Sequence, residues 1–184
     1  MELCANLELD GLTPSRKLIV EASRQLNIPL RIMIRPRGGD FIYSAEELKE
    51  MIASIEFCKK IGVEGVVFGI LNSDGKLELG AIRQLTDMAA PLKVVFHKAI
   101  DHSINLIEGL AKLIKIKGIT SVLTSGGGQT AMEGKETIKE MLQLCGDRIE
   151  IVPAGKITNK NLHELHEYFG ARAYHGKRIV GDLS

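Results

Sequence analysis

Ile32-Met33-Ile34-Arg35-Pro36-Arg37-Gly38-Gly39-Asp40-Phe41 is an apolar run that stops in two arginines, a proline, two glycines and an aspartate. The first three residues have the make-up of a buried strand. Strands ordinarily close in small turn formers, so two guanidiniums at a strand end need water, a carboxylate or a bound anion. Pro36 removes a ladder donor. Gly38 and Gly39 let the backbone approach a ligand closely or take positive φ. The stretch reads as a binding loop on a rigid scaffold.

The same pattern recurs along the chain. Short apolar runs begin near Glu2, Arg31, Glu64, Leu92, Ile119, Ile149 and Arg172, at intervals of 23 to 33 residues. Helical spacing follows them. One stripe is Leu18, Ile19, Ala22 and Leu26; a second is Leu48, Met51, Ile52, Ile55 and Cys58. Leu106, Leu110, Leu113 and Ile114 form a third, and Ile138, Met141, Leu142 and Cys145 a fourth. All fit the i, i+3, i+4, i+7 template. Strands alternating with helices predict βα units and a parallel sheet. Polar motifs follow almost every strand rather than clustering at one switch point. That favours an α/β fold of the TIM-type (β/α) barrel class, whose strand C-termini share one mouth, over an open doubly wound sheet. Seven units are visible in 184 residues, against eight in a full barrel. The expectation is one barrel domain over residues 1–184, incomplete, with the first strand and helix missing.

Composition narrows the function. Twenty-four Lys and Arg against 23 Asp and Glu give a net charge of +1, so no global field draws the chain to nucleic acid or membrane. There is no Trp and only 4% of residues are aromatic, which argues against base-stacking surfaces. Cys4, Cys58 and Cys145 have no paired spacing, which suits a reducing, cytoplasmic setting. No apolar run approaches the ~18 residues of a membrane span, and no signal-peptide pattern opens the chain.

Several motifs together resemble the CutC family of copper homeostasis proteins. They are Glu2-Leu3-Cys4-Ala5-Asn6, Gly11-Leu12-Thr13-Pro14-Ser15, Ile34 through Tyr43, and Val67-Phe68-Gly69-Ile70-Leu71. Further along come Phe96-His97-Lys98-Ala99-Ile100-Asp101, Leu123-Thr124-Ser125-Gly126-Gly127 and Pro153-Ala154-Gly155. The resemblance runs from Glu2 to about His175. It implies a TIM-type barrel, a cytoplasmic location and a homo-oligomer, most often a dimer. It also implies about one more βα unit before the Glu2 strand, and a Cu(I) site of two cysteines on the first two strands. Only Cys4 matches that pair. Soft thiolate favours Cu(I), so Cys4 is the candidate metal ligand, while Cys58 and Cys145 sit on helix stripes and read as core.

The candidate catalytic residues are Glu2, Arg35, His97 and Asp101. Alternation along the first strand puts Glu2 and Cys4 on one face. A carboxylate inside a barrel needs a partner, and Arg35 is the expected one, either as an interior salt bridge or as a catalytic pair. His97 directly follows a strand, with Asp101 four residues on, and can act as acid or base near neutral pH. Candidate ligand-binding residues are Asn6, Arg37, Asp40, Thr124, Ser125, Gly126, Gly127, Gly155 and His175. Thr124 to Gly128, with a helix expected from about Ala131, is a candidate anion loop. His102, His163 and His166 read as solvated, and Leu71 to Lys76 as a plain turn. Ser15 or Thr13 should cap the helix that carries Leu18. Two functions remain open: copper homeostasis by copper binding or handling, or an enzyme acting on a small anionic or phosphorylated metabolite at the mouth.

Overall fold

The computed structural model of the chain describes residues 1–181. Six strands alternate with six α-helices among these residues. The strands are β1 (Glu2–Leu3), β2 (Arg31–Met33), β3 (Gly65–Phe68), β4 (Lys93–Phe96), β5 (Ile119–Thr124) and β6 (Glu150–Pro153). The helices are α1 (Arg16–Gln25), α2 (Ala45–Ile61), α3 (Leu79–Ala89), α4 (Leu106–Leu113), α5 (Lys135–Cys145) and α6 (Leu162–Phe169). Sheet order follows chain order. Every pairing whose register is described is parallel, as strands joined by helical crossovers are.

The chain forms two compact units, residues 1–95 with 116–119, and residues 96–115 with those from 120 onward. In the first unit, β1 and β2 pair with Glu2 opposite Arg31, and β2 and β3 with Ile32 opposite Val66. Gly65 to Phe68 are buried throughout, the pattern of a parallel strand covered on both faces. Met51, Ile55 and Cys58 of α2 are fully or almost fully buried, as their spacing predicts. In α1 only Ile19 and Ala22 of the predicted stripe are buried, while Leu18 and Leu26 are each 38% exposed. Ser44 and Glu47 form a capping box that starts α2, and left-handed Gly62 ends it. Ser15 Oγ caps α1 by accepting from Leu18 N at 3.2 Å. Thr13 does something else, described below. The turn after Leu71 is as expected: Asn72 Oδ1 accepts from the N–H groups of Asp74 and Lys76.

In the second unit β5 and β6 pair from Ser121–Glu150 to Thr124–Pro153. Leu110, Leu113, Ile138, Met141 and Cys145 are buried on α4 and α5. Two expectations are corrected. Helix α5 begins at Lys135, not Ala131, because Ala131 N turns aside to donate to Gly155 O at 3.0 Å. The seventh strand near Arg172 does not form among the described residues. That segment makes one ladder-like bond, His175 N to Pro153 O at 2.9 Å. Bounded by Gly170 and Gly176, and carrying Arg172, Tyr174 and His175, it lacks the apolar run that a strand buried on both faces needs.

Candidate functional site

The first unit spends its two loop arginines on its own backbone and carboxylates. Arg35 is 4% exposed. Its main chain is tied to Thr13 in both directions: Arg35 N donates to Thr13 Oγ1 at 2.8 Å, and Thr13 N donates to Arg35 O at 2.9 Å. One terminal nitrogen donates to the carbonyls of Leu9 at 2.7 Å and Gly11 at 3.3 Å; the other donates to Gly39 at 2.9 Å. The guanidinium stands 4.9 Å from the Phe41 ring centroid, a cation–π distance. Its Nε is buried without a hydrogen-bond partner. Arg35 therefore stitches the loop after β1 to the loop after β2.

Arg37 is the hub of a half-exposed cluster. It donates to Glu47 Oε1 at 2.6 Å, Asp40 Oδ1 at 2.9 Å and Ile42 O at 2.6 Å. The Arg37 bond holds the Asp40 carboxyl below its usual range. Glu47 is also held low, first by the Ser44 backbone N–H and then by Arg37. Tyr43 lies under the Arg37 guanidinium at 5.5 Å, and burial pushes its phenol up to about 12 against the opposing pull of both arginines. Glu2 is half-buried in β1. Asn6 takes a left-handed φ of 52° and its side chain donates to Glu8. Cys4 is half-buried beside Gly11, where a Cβ would stand 3.3 Å from its Sγ.

The second unit assembles the other candidates. Asp101, its side chain 5% exposed, receives hydrogen bonds from three donors of one loop. Thr124 Oγ1 donates to Oδ1 at 2.5 Å and Gly127 N to the same oxygen at 3.0 Å. Ser125 N donates to Oδ2 at 2.9 Å, while Ser125 Oγ, 3.0 Å from the same oxygen, gives its one proton to Gly128 O at 2.6 Å. Lys98 Nζ stands 3.9 Å from the carboxylate. Donors that sequence assigns to a ligand anion thus hold a carboxylate of the chain itself. The glycines serve backbone packing: a Cβ on Gly126 would meet Gly134 O at 2.2 Å, and one on Gly155 would meet the Ser125 Cβ at 2.9 Å. His97 is 5% exposed and caps the 3₁₀ helix Lys98–His102, its Nδ1 accepting from Ala99 N at 3.1 Å. His175 lies beside β6. His102 and His163 are exposed, while His166 meets Tyr174 OH at 3.1 Å.

Sequence reasoning passes over Glu47 and Gly134, and gives Thr13 a capping role where the structure has it bind the Arg35 backbone. Glu47 carries a readable signal, the Ser44-x-x-Glu47 capping box. Gly134 carries none, since only the fold brings it against Ser125. Cys58 and Cys145 are core residues whose thiols burial pushes up to about 11. Among the described residues no group of three or more His, Cys, Asp or Glu is placed to hold a metal ion. No helix of the described residues is long and apolar enough to cross a membrane. A cleft of about 550 Å³ opens beside Leu26, Ile28, Leu30, Val63 and Leu92, and one of about 260 Å³ beside Cys145, Arg148 and Glu150. None of the predicted site residues lines either cleft.

A CutC family protein of Xylella fastidiosa (strain Temecula1) is 40% identical over 175 residues, which is 95% of this chain and 65% of that protein. The copper homeostasis protein cutC homolog of Homo sapiens is 38% identical over 175 residues, 95% of this chain and 64% of that protein. The chain thus spans about two thirds of the length of these relatives or slightly less. The crystal structure of a CutC protein from Streptococcus agalactiae superposes with a TM-score of 0.92 at 34% identity, over 97% of this chain and 88% of that one. Dihydrodipicolinate synthase from Bacillus anthracis superposes with a TM-score of 0.57 at 15% identity, over 89% of this chain and 53% of that one, a likeness of fold alone. The CutC family profile matches residues 1–180, and the chain belongs to the CutC family.

Proposed function

We propose that this chain serves copper homeostasis, the role that the name of its human relative carries. The observation behind this is identity of 38–40% sustained across 95% of the chain. In this role Cys4 is the thiol that meets copper. Of the three cysteines it alone is not buried, and thiolate suits Cu(I). A single thiolate makes a weak site, so copper is handled in passing rather than stored. A TIM-type barrel, a cytoplasmic setting and a homodimer belong to the same proposal. The test is competition of the reduced protein against a Cu(I) chelator. Weak binding that Cys4→Ser removes is expected; binding untouched by Cys4→Ser would end the role of that thiol.

A second reading is supported by Arg35, a nearly buried guanidinium with an unused Nε N–H just past a strand end. In a barrel that position opens on the shared mouth. It suits an enzyme acting on a small anionic or phosphorylated metabolite, whose candidate working residues are Glu2 and Arg35 in the first unit and, taken separately, His97 and Asp101 in the second. A thermal-shift screen of phosphorylated metabolites tests it. A shift lost in Arg35→Ala supports the enzyme, and no shift across the screen counts against it.

A further inference from the structure

We infer that His97 meets its ligand as a hydrogen-bond donor through Nε2, and that Asp101 is the positioning residue that holds it in this tautomer. The inference deepens the enzyme reading above and rests on it for the existence of a ligand. Its structural half stands on contacts within the second unit alone.

Ala99 N donates to His97 Nδ1 at 3.1 Å. A ring nitrogen that accepts must present its lone pair. A neutral imidazole has one N–H, so that proton is on Nε2. The lone pair a general base would use is already taken by the backbone. A neutral His97 can therefore offer a ligand only a donor. The group it fits is an oxygen acceptor: a carbonyl, carboxylate or phosphate oxygen. Polarising a C=O or P=O bond agrees with this arrangement; abstracting a proton does not.

The Ala99 N–H is aimed by the 3₁₀ helix Lys98–His102, which starts at His97. A short 3₁₀ helix has poor hydrogen-bond geometry and little stability of its own. Its opening bond is long, Ile100 N to His97 O at 3.4 Å. What fixes it is Asp101, held by Thr124 Oγ1, Ser125 N and Gly127 N. The ring itself packs edge-on against Phe96, with centroids 6.2 Å apart. Asp101 thus acts on His97 through the backbone between them.

Long-range ¹H–¹⁵N correlation of the imidazoles at neutral pH reads the tautomer directly in the ligand-free chain. His166 is an internal control. Its Nδ1 lies 3.1 Å from Tyr174 OH, a contact in which Asp101 takes no part. We expect the Nε2–H pattern for His97. In Asp101→Ala that pattern should give way to mixed tautomers, with His166 unchanged. Asp101→Asn keeps an acceptor oxygen for Thr124 and Gly127 and should retain most of the pattern. If Asp101→Ala does not fold, Thr124→Val removes one donor to Asp101 and carries the test. An Nδ1–H His97 in the unaltered chain overturns the donor assignment. An unchanged His97 in both Asp101→Ala and Thr124→Val overturns the role of Asp101. No metabolite enters this measurement, so its failure is distinct from a negative thermal-shift screen.

Discussion

Thr124 Oγ1 donates to Asp101 Oδ1 at 2.5 Å, and through this bond the loop after β5 closes on the segment after β4. The loop has the make-up of an anion cradle, with two backbone N–H groups and two hydroxyls converging on one place. The anion it cradles is Asp101. Buried carboxylates persist where donors surround them, and this one has three.

Removing that carboxylate leaves the N–H groups of Ser125 and Gly127 without their acceptor. Hydrogen bonds to charged groups contribute about 1.5–3 kcal/mol, and a stranded buried donor costs about 1–3 kcal/mol. Several are lost together, and water replaces part of them near exposed Gly127. Asp101→Ala should lower stability by about 3 kcal/mol in urea unfolding, and Asp101→Asn by distinctly less. Equal losses for the two would mean that the acceptor oxygen is not what holds the loop.

Gly134 and Gly62 separate close packing from backbone strain. A Cβ on Gly134 would stand 1.8 Å from Ser125 O, a backbone atom that cannot swing away. A Cβ on Gly62 would meet nothing within 4 Å, although its φ is +78°. Gly134→Ala should therefore cost about 3 kcal/mol or more, in the class of large overpacking effects. Gly62→Ala should cost about 1 kcal/mol, the strain of a left-handed alanine. Comparable melting temperatures for the two variants would contradict this account.

These contrasts mark what sequence could reveal. Strand positions, helix stripes such as Met51-Ile55-Cys58, and the capped start of α2 are periodic or local, so they are legible. The stripe around Leu18 misleads at its edges because an apolar residue on a helix flank satisfies the spacing without facing the core. The Arg172 segment repeats the interval of a strand but not its apolar content. The arginines of the loop after β2 advertise a ligand, yet Leu9, Gly11 and Gly39 carbonyls occupy Arg35, and Asp40 and Glu47 occupy Arg37. Residue types announce that a charge needs a partner; whether that partner is in the chain depends on contacts far apart in sequence, as with Thr13 and Arg35.

The Arg37 cluster gives a pH signature. Asp40 and Glu47 are both held below their ordinary values in the folded chain. A depressed carboxyl stabilises above its unfolded pKa, and that stability is lost as pH falls through the folded value. The cluster should contribute fully above about pH 5 and fade towards pH 3. Arg37→Gln should lower the melting temperature at pH 7 and lose most of that effect at pH 3. Because Asp40 is largely exposed, added salt should shrink the difference at pH 7. A deficit that stays constant from pH 7 to pH 3 would assign Arg37 a packing role instead.

The cysteines should separate cleanly by reactivity. Alkylation proceeds through the thiolate and needs access. Cys58 is fully buried and Cys145 is 1% exposed, and burial raises both thiols to about 11. At pH 8 neither supplies thiolate at an appreciable rate, and neither can be reached. Cys4 is half-buried and open enough to react. Mass spectrometry of the native chain after brief iodoacetamide treatment should show one label, at Cys4, and three after unfolding in denaturant. Cys4→Ser should show none in the native state. The same exposure decides copper access, since metal binding also needs a reachable thiolate. If Cys58 or Cys145 labels in the native chain as fast as Cys4, the core around α2 or α5 opens more readily than its packing implies, and Cys4 loses its claim to be the thiol that copper meets.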